Sequence, residues 1–218
     1  MSVEVCSESL FRANKVSQMP PGPDNFTESD TARCPAVGRA TGRIQLALGA
    51  NLAGPWGSPT ETIRRAIAAL GRVGVVVEAC SPLYATAPVG DIRQPAFLNA
   101  VVTARGSLAP TDLLRVLKRL ERDAGRRTGV RWGPRPLDID ILDHGGRRLG
   151  GRARHTLPGR LVLPHPELHR RGFVLVPLAQ LNPHWRHPVL HLTARQLLAR
   201  QPTRARGVRA VGRLQSRR

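Results

Sequence analysis

Two aspartates, Asp138 and Asp140, carry the strongest chemical signal in this sequence, within the segment RWGPRPLDIDIL at residues 131–142. Acidic and apolar residues alternate there with the period of a strand, so both carboxylates should project from one face. Neighbouring carboxylates repel each other unless a cation or proton lies between them, and Mg²⁺ leaves coordination positions for substrate phosphates. Arg131 and Arg135 precede the pair, and guanidinium groups bind phosphate oxygens. The segment therefore predicts a metal and phosphate site, with a solvated strand face as the alternative.

A second cluster surrounds His165 in the segment LVLPHPELHRRGFVLVPL at residues 161–178. Three arginines, Arg160, Arg170 and Arg171, lie nearby, and such an array close to a metal can hold a triphosphate chain. The sequence has no G-x-x-x-x-G-K-[ST] motif, so any ATP would bind without a Walker loop. The alternative interpretation is a basic surface turn before a helix.

Charge is unevenly distributed along the chain, which has 34 basic and 15 acidic residues and a net charge of +19. Residues 44–202 carry 23 basic and 10 acidic residues, which favours an anionic ligand such as a polyphosphate. No apolar run reaches the roughly 18 residues of a membrane span, and the start lacks the pattern of a secretory signal. The three widely spaced cysteines are typical of a reducing compartment. We therefore expect a cytoplasmic protein without membrane contact.

The elements that must position these side chains follow the order β-α-β-β-α-β, with a helical carboxy-terminal part. This order predicts an α+β fold with a ferredoxin-like core, in which helices pack on an antiparallel sheet. The predicted strands are Ile44–Gly49, Val75–Tyr84, Ala96–Arg105 and Pro136–Asp143; helices are predicted after Ser58-Pro59, from Pro110, and over 173–181 and 193–201.

The sequence predicts one folded domain at residues 44–202. Residues 1–43 are rich in Pro, Gly, Ser, Asp and Asn without a sustained period, and we expect a disordered extension. Residues 203–218 carry six arginines and no packable apolar face, so we expect a disordered basic tail.

Six segments, in order along residues 44–202, resemble the 6-hydroxymethyl-7,8-dihydropterin pyrophosphokinase family of folate biosynthesis. They are LALGANL (46–52), SPLYATAPVG (81–90), QPAFLNAVV (94–102), LKRLERDAGR (117–126), RWGPRPLDIDIL (131–142) and LVLPHPELHRRGFVLVPL (161–178). The resemblance implies transfer of the β,γ-pyrophosphoryl group of ATP to the 6-hydroxymethyl oxygen of the reduced pterin, with AMP as the leaving group. It also implies a ferredoxin-like fold and two Mg²⁺ ions, both held by Asp138 and Asp140.

The resemblance further implies a role for each of several side chains. Asp140 would accept a hydrogen bond or proton from the attacking hydroxyl, and Arg126 and Arg135 would act in and after a loop that closes over ATP. Phe97 and Phe173 would stack on the two faces of the pterin, and Asn99 would bind its amino-pyrimidinone edge. The implied nucleotide and phosphate contacts are Glu121, Trp132, Arg135, Ile141 (through its backbone or an apolar contact), Arg160, His165 and Arg171, and Thr86 and Val89 would add backbone contacts to the pterin.

Two positions and the length of one loop depart from the family pattern. Pro166 stands where a tyrosine or another polar residue is common, and Lys118 stands where glutamine is common. The loop at 125–132 is about one residue shorter than in some relatives, so either Arg127 or Thr128 corresponds to a second loop arginine. These departures affect predicted nucleotide contacts and leave the aspartate pair intact.

Other functions remain open at this stage. A basic nucleic-acid-binding module on a ferredoxin-like sheet would explain the charge, but such sheets use exposed aromatic residues, which make up only 4% of this chain. A D-x-D glycosyltransferase and a non-catalytic descendant of the pyrophosphokinases are the remaining alternatives. We expect a monomer that binds ATP and a pterin and has no specific nucleic-acid partner.

Overall fold

The computed structural model describes residues 42–88, 94–127, 133–150, 161–201 and 207–214. Six strands form in these ranges: β1 (Gly42–Ala50), β2 (Val75–Cys80), β3 (Leu83–Thr86), β4 (Phe97–Gly106), β5 (Asp138–His144) and β6 (Arg209–Gly212). Four α-helices accompany them: α1 (Pro59–Arg72), α2 (Pro110–Asp123), α3 (Gly172–Leu181) and α4 (Ala194–Ala199). A short 3-10 helix lies at Leu168–Arg170.

The six strands form one antiparallel sheet, in which five follow the order β5-β1-β4-β3-β6 and β2 pairs with β4 off this path. β4 has ten residues and pairs with β3 along its first part and with β2 along its second. β1 lies between β4 and β5 and pairs with both strands. The predicted α+β class, an antiparallel sheet with helices packed on it, is confirmed.

The sheet separates two apolar layers because successive side chains of a strand point to opposite faces. One layer joins β1, β4 and β5 to α1 and α2, and the other joins them to α3 and α4. Leu46 and Leu48 lie in the first layer, whereas Val101 and Leu142 lie in the second. Each fully buried leucine contributes about 1.5–3 kcal/mol through removal of its side chain from water.

Local sequence signals account for the helix starts. Ser58 caps α1, and its hydroxyl accepts from the Glu61 backbone N–H while the Glu61 carboxylate accepts from the Ser58 backbone N–H. Such a capping box satisfies two backbone donors that a helix start leaves open. Pro110 occupies the first turn of α2, where its fixed φ suits the helix. The predicted starts of both helices are therefore confirmed.

The predicted strand over Val75–Tyr84 is wrong in one respect, because it divides at Ser81-Pro82 into β2 and β3. Pro82 has no N–H for the ladder. The Ser81 hydroxyl instead accepts from the backbone N–H of Val101 at 3.0 Å. The division shifts β3 onto the first residues of β4, which carry Phe97 and Asn99.

The prediction of a disordered tail at 203–218 is wrong for residues 209–212, which form β6 against β3. The side chains of β6 are all exposed, so backbone hydrogen bonds rather than an apolar face hold the strand. Leu214 follows β6 and is only 9% exposed within the first apolar layer. The strand β1 also begins at Gly42, inside the predicted extension 1–43, whose residues 1–41 lie outside the described ranges.

The helices in the described part of the chain are all too short or too polar to cross a membrane. The helical carboxy-terminal layer, which comprises α3, α4 and the segment between them, packs on the second face of the sheet. The site described next lies on that same face.

Candidate active site

Asp138 and Asp140 open β5 and share one face of the sheet, as their spacing predicts. Asp138 pairs with Gly49 and Asp140 pairs with Ala47 across β1. Between them Ile139 points into the opposite apolar layer and is fully buried. The two aspartate side chains are 25% and 31% exposed, so solvent and ligands can reach both.

Two arginines bind Asp138, one at each carboxylate oxygen. Arg126 Nη1 donates to Oδ1 at 2.5 Å, and Arg135 Nη1 donates to Oδ2 at 2.8 Å. Burial alone would raise the pKa of Asp138, but the charges of Arg126 and Arg135 outweigh it and lower that pKa. Asp138 is therefore an anion at neutral pH.

Buried Glu121, on α2, holds Arg126 in this position. The Glu121 side chain is 2% exposed; its Oε2 lies 2.7 Å from Arg126 Nη1, and its Oε1 accepts from Lys118 Nζ at 2.7 Å and from Ile139 N at 2.9 Å. Burial raises the pKa of Glu121, while Lys118 and the Ile139 N–H oppose that rise. Glu121 thus links the helix, the arginine and the aspartate strand.

A glycine turns the chain between α2 and Arg126. Gly125 has φ +94°, and a Cβ there would lie 2.5 Å from Pro55 Cδ. Any other residue would meet both backbone strain and a collision. The turn places Arg126 N within 2.9 Å of the Glu121 carbonyl oxygen.

Asp140 faces a histidine and a third arginine. Its Oδ2 lies 3.3 Å from Arg171 Nη1 and 3.7 Å from His165 Nε2. His165 Nδ1 accepts from the Glu167 backbone N–H at 3.1 Å, so the proton of the neutral ring belongs on Nε2. Burial lowers the pKa of His165, with Asp140 opposing and Arg171 adding to the shift. His165 therefore presents a neutral N–H donor beside Asp140.

Asn51, directly after β1, organises the approach to these groups, and sequence reasoning missed it. Its Oδ1 accepts from Arg135 N at 2.8 Å, and its own N–H donates to the Arg135 carbonyl at 3.1 Å. Its Nδ2 donates to Gln94 Oε1 at 3.0 Å and to the Pro95 carbonyl at 3.1 Å. A polar residue at the end of a buried strand is the signal that could have identified it.

An amide and an aromatic residue lie on the same face of β4, and a second aromatic residue lies on the helix that packs on this strand. Phe97 and Asn99 alternate along β4 with residues of the opposite layer, and Phe173 lies in the first turn of α3, which packs on β4. Asn99 Nδ2 donates to Thr86 Oγ1 at 2.8 Å. The Asn99 Oδ1 atom lies 3.2 Å from where a Cβ on Gly49 would stand, so glycine leaves room for this amide.

The two halves of the candidate site, the aromatic residues and the aspartate pair, meet at Arg171. Its guanidinium carbon lies 5.7 Å from the centre of the Phe173 ring and its Nη1 contacts Asp140. A cation over an aromatic face is favourable and fixes the orientation of both groups. The two halves are thus parts of one site.

A match to a known protein family shows to which family this chain belongs. Residues 45–183 match the model of the 7,8-dihydro-6-hydroxymethylpterin-pyrophosphokinase family. The chain belongs to this family.

Relatives of known name agree with the family. The chain is 44% identical over 147 residues to a 2-amino-4-hydroxy-6-hydroxymethyldihydropteridine pyrophosphokinase of Pseudomonas aeruginosa, covering 67% of this chain and 84% of the relative. It is 41% identical to a mitochondrial folate synthesis bifunctional protein of Arabidopsis thaliana over 72% of this chain, but spans only 26% of that longer protein.

The fold resembles a crystal structure of Plasmodium falciparum HPPK-DHPS with pteroate, with a TM-score of 0.60 and 15% identity. The match covers 75% of this chain and 45% of the Plasmodium chain, and it supports the fold alone.

The structure brings together most of the residues that the resemblance to the pyrophosphokinase family implies. Those that lie around the two aspartates or on the same sheet face are Thr86, Phe97, Asn99, Arg126, Arg135, Asp138, Asp140, His165, Arg171 and Phe173. Val89, Trp132 and Arg160 lie outside the described residues, as does Thr128 of the uncertain loop register.

Two residues for which the resemblance implies a nucleotide contact are buried. The Ile141 side chain is 4% exposed within the α1 and α2 layer, so only its backbone can meet a ligand. The Glu121 side chain is only 2% exposed and both of its oxygens are bound by protein groups, so it anchors Arg126 in this arrangement. Burial limits the ligand contacts open to both side chains, and the position of a residue on one strand or one helix does not disclose it.

Proposed function

We propose that this pyrophosphokinase transfers the β,γ-pyrophosphoryl group of ATP to the 6-hydroxymethyl oxygen of 6-hydroxymethyl-7,8-dihydropterin, giving AMP and the pterin diphosphate for folate biosynthesis. One observation carries the proposal: two carboxylates ringed by Arg126, Arg135 and Arg171 share a sheet face with an aromatic and amide-bearing surface. Membership of the family supports the reaction class.

The donor set of Asp138 and Asp140 fits Mg²⁺. The described residues contain no group of three or more His, Cys, Asp or Glu side chains that could form an all-protein metal site. Mg²⁺ commonly uses one or two carboxylates and takes its other ligands from water and substrate phosphates, so two aspartates suffice. We propose that the pair holds two Mg²⁺ ions, which when bound would offset phosphate charge and help align the reacting groups.

Arg126, Arg135 and Arg171 are proposed to bind the phosphate oxygens. A guanidinium has five N–H donors, and each contact with an aspartate uses only part of this set. The remaining donors can bind the triphosphate and stabilise the charge that develops on it during transfer. His165 would add its neutral Nε2–H to a phosphate oxygen without adding a charge.

Asp140 is proposed to accept a hydrogen bond or the proton from the attacking hydroxyl. The pterin oxygen attacks the β-phosphorus, the bond from that phosphorus to the α,β-bridging oxygen breaks, and AMP leaves with the bridging oxygen. Arg171 contacts both Asp140 and the face of Phe173, so it ties the proton acceptor to the proposed pterin surface.

The pterin is proposed to lie between Phe97 and Phe173, with its amino-pyrimidinone edge at Asn99. Because Asn99 Nδ2 already donates to Thr86, its Oδ1 is the atom available to accept from the pterin amino group. Gly49 leaves space beside that oxygen. The nucleic-acid and glycosyltransferase alternatives gain no support from the family or the relatives. A cytoplasmic location and a monomeric state stay predictions from the sequence.

Product identity tests the proposal. The protein is incubated with Mg²⁺, ATP and 6-hydroxymethyl-7,8-dihydropterin, and the nucleotides are separated by chromatography. We expect AMP that depends on the pterin and disappears in Asp140→Asn. ADP in place of AMP would mean single-phosphoryl transfer, and no nucleotide product from folded protein would refute the proposal.

A further inference from the structure

Tyr84 on β3 connects the sheet to α3; it is paired with Asn99 of β4, and no substrate contact has been assigned to Tyr84 itself. It is the single tyrosine of the sequence and is 6% exposed. Its hydroxyl donates to Gln180 Oε1 on α3. This hydrogen bond joins two elements that are more than ninety residues apart in sequence.

The backbone around Tyr84 is fixed on both sides. Tyr84 pairs with Asn99 of β4 on one side and with Ala210 of β6 on the other. Because paired residues point to the same face of a sheet, Tyr84 and Asn99 share the face on which α3 packs. The ring therefore stands on a part of the sheet that cannot easily shift.

At the other end of the bond, Gln180 and Phe173 belong to the same helix. They are seven residues apart, which is close to two helical turns, so they lie on one side of α3 about 10 Å from each other. Phe173 is in the first turn of α3 and Gln180 is in the last. A contact at one end of a ten-residue helix constrains the tilt of the other end.

We infer that Tyr84 and Gln180 are positioning residues that set the separation between α3 and the sheet, and thereby the width of the space between Phe173 and the Phe97–Asn99 surface. The inference rests on the proposed function, since it assigns the pterin to that space. A planar ring gains most from aromatic contact on both faces when the gap matches its thickness. Loss of the hydrogen bond would let α3 tilt and would weaken the contact of Phe173 with the pterin.

The experiment uses Gln180→Ala, Gln180→Glu and Tyr84→Phe in the full chain. Gln180 is exposed, so its substitutions leave both apolar layers intact. Calorimetry measures the Kd of α,β-methylene-ATP with Mg²⁺, and then the Kd of 6-hydroxymethyl-7,8-dihydropterin in the presence of that analogue. A substitution that merely loosened the fold would not raise the pterin Kd while leaving the Kd of the ATP analogue unchanged.

We expect Gln180→Ala and Tyr84→Phe each to raise the pterin Kd about five- to tenfold, the effect of losing one partly buried hydrogen bond. The double variant should lose no more than either single variant, because both remove the same bond. Gln180→Glu keeps an acceptor oxygen and should bind pterin within about twofold of the original protein. The Kd of the ATP analogue should change less than about twofold throughout.

Thr103→Val is the matched control. Its hydroxyl donates to Gln45 Oε1 at 3.0 Å on the same face of the sheet, away from β3. We expect this variant to lose thermal stability but to keep its pterin Kd.

An unchanged pterin Kd in Gln180→Ala, or an equal loss in Thr103→Val, would overturn the positioning role while leaving the proposed function standing. If the original protein neither binds the dihydropterin nor forms AMP, both proposals fail together.

Discussion

Replacement of Asp138 by asparagine separates the structural role of this carboxylate from its chemical role. Each Asp138 oxygen accepts from a different arginine. An asparagine amide has one acceptor oxygen, so its NH₂ group would face a guanidinium donor in either orientation. The variant therefore loses one hydrogen bond and the charge that strengthens the other.

The magnitude follows from the partners. A hydrogen bond to a charged group is worth about 1.5–3 kcal/mol, and the 25% exposure of Asp138 reduces this by solvent screening. We expect Asp138→Asn to lower the free energy of unfolding by about 2 kcal/mol. Asp140→Asn should lose less than about 1 kcal/mol, because the Asp140 contacts at 3.3 Å and 3.7 Å are longer.

Urea unfolding at pH 7.5 without added divalent metal measures these free energies. Because the folded-state pKa of Asp138 is lowered, its contribution is present above the ordinary aspartate pKa of about 3.9 and is lost as the pH falls through the folded value. The difference between the original protein and Asp138→Asn should therefore shrink in acid. Asp112→Asn, which affects an exposed ion pair with Arg115, serves as the control and should stay within about 0.5 kcal/mol.

The loss of activity should not follow the loss of stability in these two variants. Both Asp138→Asn and Asp140→Asn should reduce AMP formation at least about 100-fold, which corresponds to about 2.7 kcal/mol of transition-state stabilisation. Near-normal turnover in either variant would refute the assignment of the pair as metal ligands. Equal stability losses in Asp138→Asn and Asp112→Asn would refute the argument from the two arginines.

Three further outcomes are expected. Phe173→Ala should raise the pterin Kd at least about tenfold and leave ATP-analogue binding nearly unchanged in calorimetry, because it removes a stacking face; equal losses would contradict the stacking role. Gly49→Ala should raise the pterin KM several-fold with a smaller effect on the ATP KM in steady-state assays, because its Cβ would stand 3.2 Å from Asn99 Oδ1; an unchanged pterin KM would show that the amide can move aside. The pKa of His187 is lowered to about 4, mainly by burial and then by His169 and His191, so stability should fall as the pH drops from about 6.5 towards 4. In His187→Gln this slope in urea unfolding should be weaker, and identical slopes would assign the acid sensitivity to other groups.

Local sequence patterns predicted the parts of the site that depend on period and capping. The alternation around Asp138 and Asp140 correctly placed both carboxylates on one face, and Ser58 with Pro59 correctly marked a helix start. These features depend on residues within a few positions of one another. Strand alternation and helix capping can therefore be predicted from a short segment of the sequence.

Long-range contacts could not be predicted in the same way. Asn51 holds the backbone of Arg135, 84 residues later, and nothing near Asn51 identifies that partner. The burial of Glu121 depends on how α2 meets β5, so its position on the helix alone did not distinguish a ligand contact from an anchor. The resemblance to the family supplied the roles of the aromatic residues, which their spacing alone would have left as core residues.

The pairing of β3 with β6 has a consequence for how the protein is made. β6 follows β3 by more than 120 residues, so β3 emerges from the ribosome long before its second neighbour has been translated. Until then one edge of β3, the strand that carries Tyr84 and Thr86, has no partner from β6. We expect nascent chains arrested before residue 209 to bind nucleotide but to bind pterin weakly. The nucleotide half of the site would then mature before the pterin half during translation.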